Sequence, residues 1–227
     1  GLGDVYKRQP PKIDLPKLSD LPDDHPAVSY AKDRQLPTKY LHDLYYAEKF
    51  KKWSNSIVPD AFANTDYDDD RIVIPFRDEE GRFFAFQGRS LKKSKLKYLT
   101  VKIDPNKQKI YCLDRIDKNK PVYVVEGPFD SLFLDNALGT ADASLGSING
   151  IYVWDNEPRS PIICKKIEEA INNGESVVIW KKSHTFNDIN DAITKFGFTI
   201  ARINEVVKKR TFKGLEALVE LNNWRKA

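Results

Sequence analysis

Three short apolar runs, each leading into acidic residues, organise the second half of the chain. Val122-Tyr-Val-Val runs into Glu126-Gly127-Pro128-Phe-Asp130. Gly150-Ile-Tyr-Val-Trp154 runs into Asp155-Asn156-Glu157-Pro158. Ser176-Val-Val-Ile-Trp180 is followed by Asn187-Asp188-Ile-Asn190-Asp191. Runs this short, rich in β-branched and aromatic residues, suit strands covered on both faces. Gly127 and Pro128 stop the first. The intervening segments predict helices over residues 131–138, 161–172 and 188–196, with Gly174 ending the second. Strands alternating with helices predict an α/β sheet, and such sheets build their sites at the strands' carboxyl ends.

The first half has a different rhythm. Residues 25–34 and 37–50 predict two short helices. Pro37 starts the second, and Leu41, Leu44, Tyr45 and Phe50 form its apolar face. Arg71-Ile-Val-Ile-Pro-Phe-Arg77 and Arg82-Phe-Phe-Ala-Phe-Gln87 predict a hairpin closed by Asp78-Glu-Glu-Gly81. Residues 213–226 predict a closing helix with Leu215, Leu218, Val219 and Trp224 on one face. Residues 10–26, rich in Pro, Asp and Lys, read as a linker or extended arm. Residues 1–9 reverse-translate to a sequence that resembles a transposon-end adapter used in sequencing libraries. They are expected to be a scar, with the natural chain continuing upstream of Pro10.

Composition narrows the class. The chain has 227 residues, enough for one large domain or two small ones. It is 31% charged with a net charge of +4, too mild to establish nucleic-acid binding by itself. No apolar run is long enough to cross a bilayer. Cys112 and Cys164 fit neither a disulfide framework nor a zinc ribbon, and are expected to be buried thiols in a reducing cytoplasm. There is no Gly-x-x-x-x-Gly-Lys-Ser/Thr run, so no helicase motor is fused to this segment. His25, His42 and His184 have no metal-ligand spacing, and no nucleophilic hydrolase motif is present.

Three strands ending in carboxylates suggest one acidic cluster holding a divalent metal. Mg²⁺ binds through a few carboxylates plus substrate phosphates, and two such ions can hold the attacking and leaving oxygens in line. Glu126, Asp155 and Glu157 are the first candidates. A lone strand-end carboxylate is often only a solvated loop residue or a helix cap, which remains an alternative use for Asp130. Asp188 and Asp191, three apart at a helix start, are either further ligands or cap and first-turn acids. Arg77, Arg89 and Lys97 are either solvated charges or phosphate contacts. Lys92, Lys93 and Lys95 would add salt-sensitive phosphate affinity. Lys181, Lys182 and His184 follow the third strand, as triphosphate contacts or as an exposed loop. Trp154 and Trp180 are expected to pack.

Glu126-Gly-x-x-Asp130 and Asp155-Asn-Glu157 resemble the two motifs of the Toprim domain, the metal-binding fold of bacterial-type primases and some topoisomerases and nucleases. Glu157 stands where the second Asp is usual. Within that family the runs Trp154 to Arg159 and Asp188 to Asp191 are most similar to the stand-alone primases of tailed phages, with Asn187 where Lys is expected. Ile74, Pro75, Arg77, Gly81, Gly88, Arg89, Leu91, Lys97, Tyr98 and Leu99 resemble the amino-terminal half of a primase core. The resemblance implies a Toprim (Rossmann-like) α/β sheet domain over residues 120–198. A smaller mixed α+β primase subdomain over residues 27–119 precedes it, and a helical segment over residues 199–227 follows. It also implies a DNA primase core that makes short RNA primers on single-stranded DNA from ribonucleoside triphosphates by two-metal nucleotidyl transfer.

Under that resemblance Glu126, Asp155 and Glu157 hold two Mg²⁺ or Mn²⁺ ions, supported by Asp188 and Asp191. Glu126 has a second possible role, as general base on the primer's 3′ hydroxyl. Arg77, Arg89, Lys97, Lys181 and Lys182 meet template or triphosphate. The expected partners are a template strand, ribonucleotides and a replicative helicase, without a membrane and without zinc in this segment. A zinc-binding module is expected upstream. The expected compartment is the cytoplasm, the host's if the protein is phage-encoded. Two alternatives use the same residues: a Toprim nuclease, and a non-catalytic single-stranded DNA-binding module. The intact acids weigh against the second.

Overall fold

The computed structural model describes residues 11–141 and 148–226. The adapter reading of residues 1–9 lies outside the described residues. The first half forms α1 (Pro26–Asp33), β1 (Tyr45–Ala47), α2 (Phe50–Ile57), β2 (Arg71–Arg77), β3 (Phe83–Ser90) and β4 (Tyr98–Lys102). The strands make one antiparallel sheet in the order β1-β2-β3-β4. The predicted hairpin is β2 and β3, and α1 is the helix expected over 25–34, with His25 and Arg34 as its caps. Pro26 sits in the first turn of α1, where it sacrifices no hydrogen bond, and His25 Nδ1 caps the Ala27 amide at 3.1 Å.

The helix predicted over 37–50 does not form. Pro37 opens only a 3₁₀ segment, Thr38–Asp43. Tyr45, Tyr46 and Ala47 then pair with Val73, Ile72 and Arg71 as an edge strand. Sheet pairing overrode the apolar periodicity, and Phe50 instead begins the next helix. β2 is buried almost throughout because both faces of the sheet are covered. Ile72, Ile74 and Phe76 join the main core, whereas Val73 packs with Phe50, Trp53 and Phe86 on the other face.

The second half forms β5 (Tyr123–Val125), α3 (Pro128–Ser131), β6 (Ala137–Gly139), β7 (Ile151–Val153), α4 (Pro161–Asn172), β8 (Ser176–Val178), α5 (Ile189–Thr194), α6 (Ile200–Lys209), β9 (Thr211–Lys213) and α7 (Gly214–Trp224). The sheet order is β6-β5-β7-β8-β9, with all pairs parallel except β8 with β9. The expected α/β sheet is therefore present, and the three acid-bearing turns follow three adjacent parallel strands. α4 has the predicted bounds, and Gly174 takes the left-handed φ of +79° beyond it.

One expectation in this half fails and another holds in part. Residues 131–138 are not one helix: α3 is a single turn, and the chain re-enters the sheet as β6. Leu132, Phe133, Leu134, Ala137 and Leu138 are buried all round, so no helical stripe exists there. The closing helix forms but turns only part of its expected face inward, with Trp224 buried and Leu218 packed against the core. Ala217, Leu221 and Trp224 are buried, whereas Leu215 is 78% and Val219 52% exposed. On the buried face Trp224 Nε1 donates to Asn156 Oδ1 at 2.8 Å. Trp154 and Trp180 pack as expected, and Trp180 Nε1 donates to the Trp154 carbonyl at 2.8 Å. Cys112 is buried but Cys164 only half so. No described helix is long and apolar enough to cross a membrane.

Candidate active site

A cleft of about 910 Å³ runs between the two sheets. Glu126, Asp130, Asp155 and Asp188 line one wall, and Arg34, Arg89, Lys97 and Tyr98 line the other. Lys166 of α4 adds a cation on the acidic side.

Each acid is placed by local chain geometry. Glu126 follows β5 and Asp155 lies two residues past β7, and those strands are parallel neighbours. Gly127 between Glu126 and α3 has a steric reason: a Cβ there would meet Asp130 Oδ2 at 2.9 Å. Asp130 in turn accepts the Asn190 amide on Oδ1 at 3.2 Å. That amide is an unpaired donor of the first turn of α5, so Asp130 caps α5 rather than only its own helix. Asp188 caps the same helix from within, accepting the Asp191 amide at 2.6 Å.

The acids repel one another. Burial first, then Asp130, Glu126, Asp188 and Glu157, push the Asp155 carboxyl up to about 8. Burial and the neighbouring Asp188 push Asp130 up to about 7, against the Asn190 amide and Arg34. Glu126 is raised by burial, Lys166 partly offsetting this and Glu157 adding to it. Glu126 Oε1 is buried without a hydrogen-bond partner. An unpartnered carboxylate oxygen among mutually raised acids is a donor set that fits a hard divalent cation. Among the described residues no three His, Cys, Asp or Glu side chains stand close enough to hold an ion unaided.

The other predicted residues fall in different places. Glu157 is exposed at the rim, close enough to raise both Glu126 and Asp155. Asp191 does not line the cleft, and its carboxylate pairs with Lys195 at 2.8 Å. Arg77 stands near Asp114 outside the cleft, and Lys181 and Lys182 are exposed beyond it.

The basic wall is built on β3 and β4. Arg89 and Tyr98 are direct partners across these strands, and the Arg89 guanidinium lies 4.6 Å from the Tyr98 ring centroid. The buried Arg71 fixes the intervening loop, donating to the Gly88 carbonyl at 3.0 Å and the Leu96 carbonyl at 3.1 Å. Gly88 leaves room for Phe50, whose ring would overlap any Cβ there.

Sequence reasoning missed Arg34, Asn156 and the cleft role of Asp130. The spacing Glu126-Gly-x-x-Asp130 could have pointed to Asp130. Nothing local marks Asn156, which the fold uses completely. Its amide donates to the His184 and Phe186 carbonyls at 3.1 and 2.8 Å, and its oxygen accepts from Trp224.

No protein-family model matches the chain. It is 36% identical to the DNA primase of Enterobacteria phage T4 over 230 residues, 98% of this chain and 66% of that protein. The chain thus spans just under two thirds of that relative. Solved structures give the fold. The Aquifex aeolicus primase, with its zinc-binding and RNA polymerase domains, matches with a TM-score of 0.62 at 19% identity, over 87% of this chain and 59% of that one. A DnaG primase catalytic domain bound to single-stranded DNA matches with a TM-score of 0.60 at 17% identity, over 86% and 74%. The acid-bearing sheet is accordingly the Toprim sheet of a primase core.

Proposed function

This chain belongs to the DNA primase family, and on that premise we propose that it is a primase catalytic core. It makes short RNA primers on single-stranded DNA from ribonucleoside triphosphates. One observation carries the reading: Glu126, Asp130 and Asp155 face Arg89 and Lys97 across a single cleft.

In this reading the primer's 3′ oxygen bonds to the α-phosphorus of the incoming nucleotide, and pyrophosphate leaves. No protein nucleophile is needed. Glu126, Asp155 and Glu157 would hold Mg²⁺ or Mn²⁺, two ions in all, with Asp188 in support; Asp191, which pairs with Lys195, lies outside the cleft. Bound metal supplies charge neutralisation at the attacking and leaving oxygens. Glu126, with its unpartnered Oε1, has a second use as acceptor of the 3′ hydroxyl proton. Arg89 and Lys97 hold template or triphosphate phosphates by charge-assisted hydrogen bonds. Lys181 and Lys182, exposed, and Arg77, half-buried, add positive charge outside the cleft. The whole protein works beside a replicative helicase, in the host cytoplasm if phage-encoded.

The test is template-dependent incorporation of labelled ribonucleotides with Mg²⁺. Asp155→Ala should lower it at least ~100-fold with the fold intact, as expected for losing an electrostatic group at the reacting centre. Metal-dependent cleavage of DNA without nucleotides, and no primer synthesis, would replace this reading with the nuclease one.

A further inference from the structure

We propose that Asn190 is a positioning residue: it pins the end of α1 to the acidic wall and so holds the Arg34 guanidinium at the phosphate-binding cleft. The inference rests on the proposed function only for the identity of the phosphate ligand.

Asn190 is 4% exposed, and its side chain spends both of its polar atoms on Arg34. Its backbone amide donates to Asp130 Oδ1. Its side-chain oxygen accepts from Arg34 Nη1 at 2.9 Å, and its side-chain nitrogen donates to the Arg34 carbonyl at 2.7 Å. Arg34 caps the carboxyl end of α1, where carbonyls lack intrahelical partners. A primary amide accepts from the guanidinium and donates to the carbonyl of the same residue through two separate atoms. Aspartate could accept but not donate, and an apolar side chain could do neither. The latch therefore ties the antiparallel half of the molecule to an acid of the parallel sheet, across 156 positions of sequence.

The latch leaves Arg34 poised for a ligand. Among the described residues Arg34 makes no ion pair within the distance of a salt bridge; its charge acts at longer range, on Asp130 across the cleft. Its guanidinium lies 5.6 Å from the Tyr30 ring, and that of Arg89 lies 5.6 Å from the same ring. Arg34, Tyr30, Arg89 and Tyr98 thus form one continuous ladder of cations and rings. Arg89 Nε and Tyr30 Oη are buried without partners, as expected of a ladder that is completed by a polar ligand. Losing the latch frees Arg34 to leave this ladder while every ligand-contacting group remains chemically present.

A double-mutant cycle tests this. Asn190→Ala, Arg34→Ala and the double variant are compared for the KM of ribonucleoside triphosphate and, without nucleotide, for the Kd of a labelled oligodeoxynucleotide. The two arms separate triphosphate from template phosphate. Asn190→Ala should weaken at least one of them about 5- to 20-fold, the range of one charge-assisted contact, with kcat changed less than about twofold. The double variant should be no weaker than Arg34→Ala alone, because Asn190 acts through Arg34. Additive losses, or a lowered Tm with both affinities unchanged, overturn the proposal. If Asn190→Ala does not fold, Asn190→Asp enters the same cycle under the same criteria. A wild type that binds DNA but makes no primers sinks the proposed function while leaving the latch testable by the oligonucleotide arm.

Discussion

Asp155→Asn should make the metal-free protein more stable while abolishing its activity. The substitution keeps the shape of the side chain and removes one of several crowded negative charges. Asp155 holds its proton up to about 8, against an ordinary value of 3.8. In the unfolded chain the group ionises near that ordinary value. Between pH 4 and pH 8 the folded state therefore binds more protons, and wild-type stability falls as pH rises through that window. At pH 8 the full cost would be ~6 kcal/mol in a dry site. The cleft is open to water, which screens most of it, so about 2 kcal/mol is the working figure. For a chain of this size that is about 4–8 °C in Tm. The assay is thermal melting in chelator across this pH range. The variant should melt higher at pH 8, and the gap should vanish near pH 4. Saturating Mg²⁺ should raise the wild type alone, closing or reversing the gap. An Asp155→Asn protein that melts at or below wild type in chelator at pH 8 would refute the crowding argument. It would mean that hydrogen bonds, not repulsion, dominate that carboxylate.

The basic wall gives a second expectation: Arg89→Ala and Lys97→Ala should each weaken single-stranded DNA binding and flatten its log–log salt slope by about 0.7, one counterion per phosphate contact. Unchanged slopes in both would return these residues to the solvated surface. Gly88→Ala should destabilise by about 1–3 kcal/mol through overlap with Phe50, measurable by urea unfolding, and Gly88→Ala at wild-type stability would deny that close approach. Trp224→Phe should cost about 1 kcal/mol through its lost bond to Asn156. It should also lower primer synthesis, since the same Asn156 fixes the turn between Asp155 and Glu157; stability loss with full activity would separate α7 from the site.

Much of the parallel sheet was legible because its information is local. β5, β7 and β8 are short apolar runs bounded by Gly, Pro and acids, and their order alone places Glu126 and Asp155 side by side. α4 was legible for the same reason, with Ser160, Pro161 and Gly174 marking its ends. The failures share one cause. β1, β6 and the buried face of α7 have partners far along the chain: β2 for Tyr45–Ala47, β5 for Ala137–Gly139, and Asn156 for Trp224. Segment periodicity cannot report a partner that lies elsewhere. Leu215 and Val219 share a face by spacing, yet the helix buries the opposite one, where Ala217, Leu221 and Trp224 lie.

The same distinction explains which candidate residues came together. Carboxylates at strand ends are positioned by the sheet, so a sequence that specifies the strands also specifies their convergence. Lys181, Lys182 and Arg77 were candidates through sequence proximity or motif membership, and neither fixes a direction in space. The groups that make the acidic wall rigid are amides, not charges. Asn156 binds the loop after β8 and the final helix to the Asp155 turn, and Asn190 binds α1 and Asp130 together. An amide can donate and accept at once, so it can close a buried network without adding charge to an already crowded cluster. Within Asp155-Asn156-Glu157 and Asp188-Ile-Asn190-Asp191, then, the acids supply the electrostatics and the asparagines supply the geometry. Replacing either asparagine by aspartate would add a charge to the cluster and remove the donor that holds its walls in place.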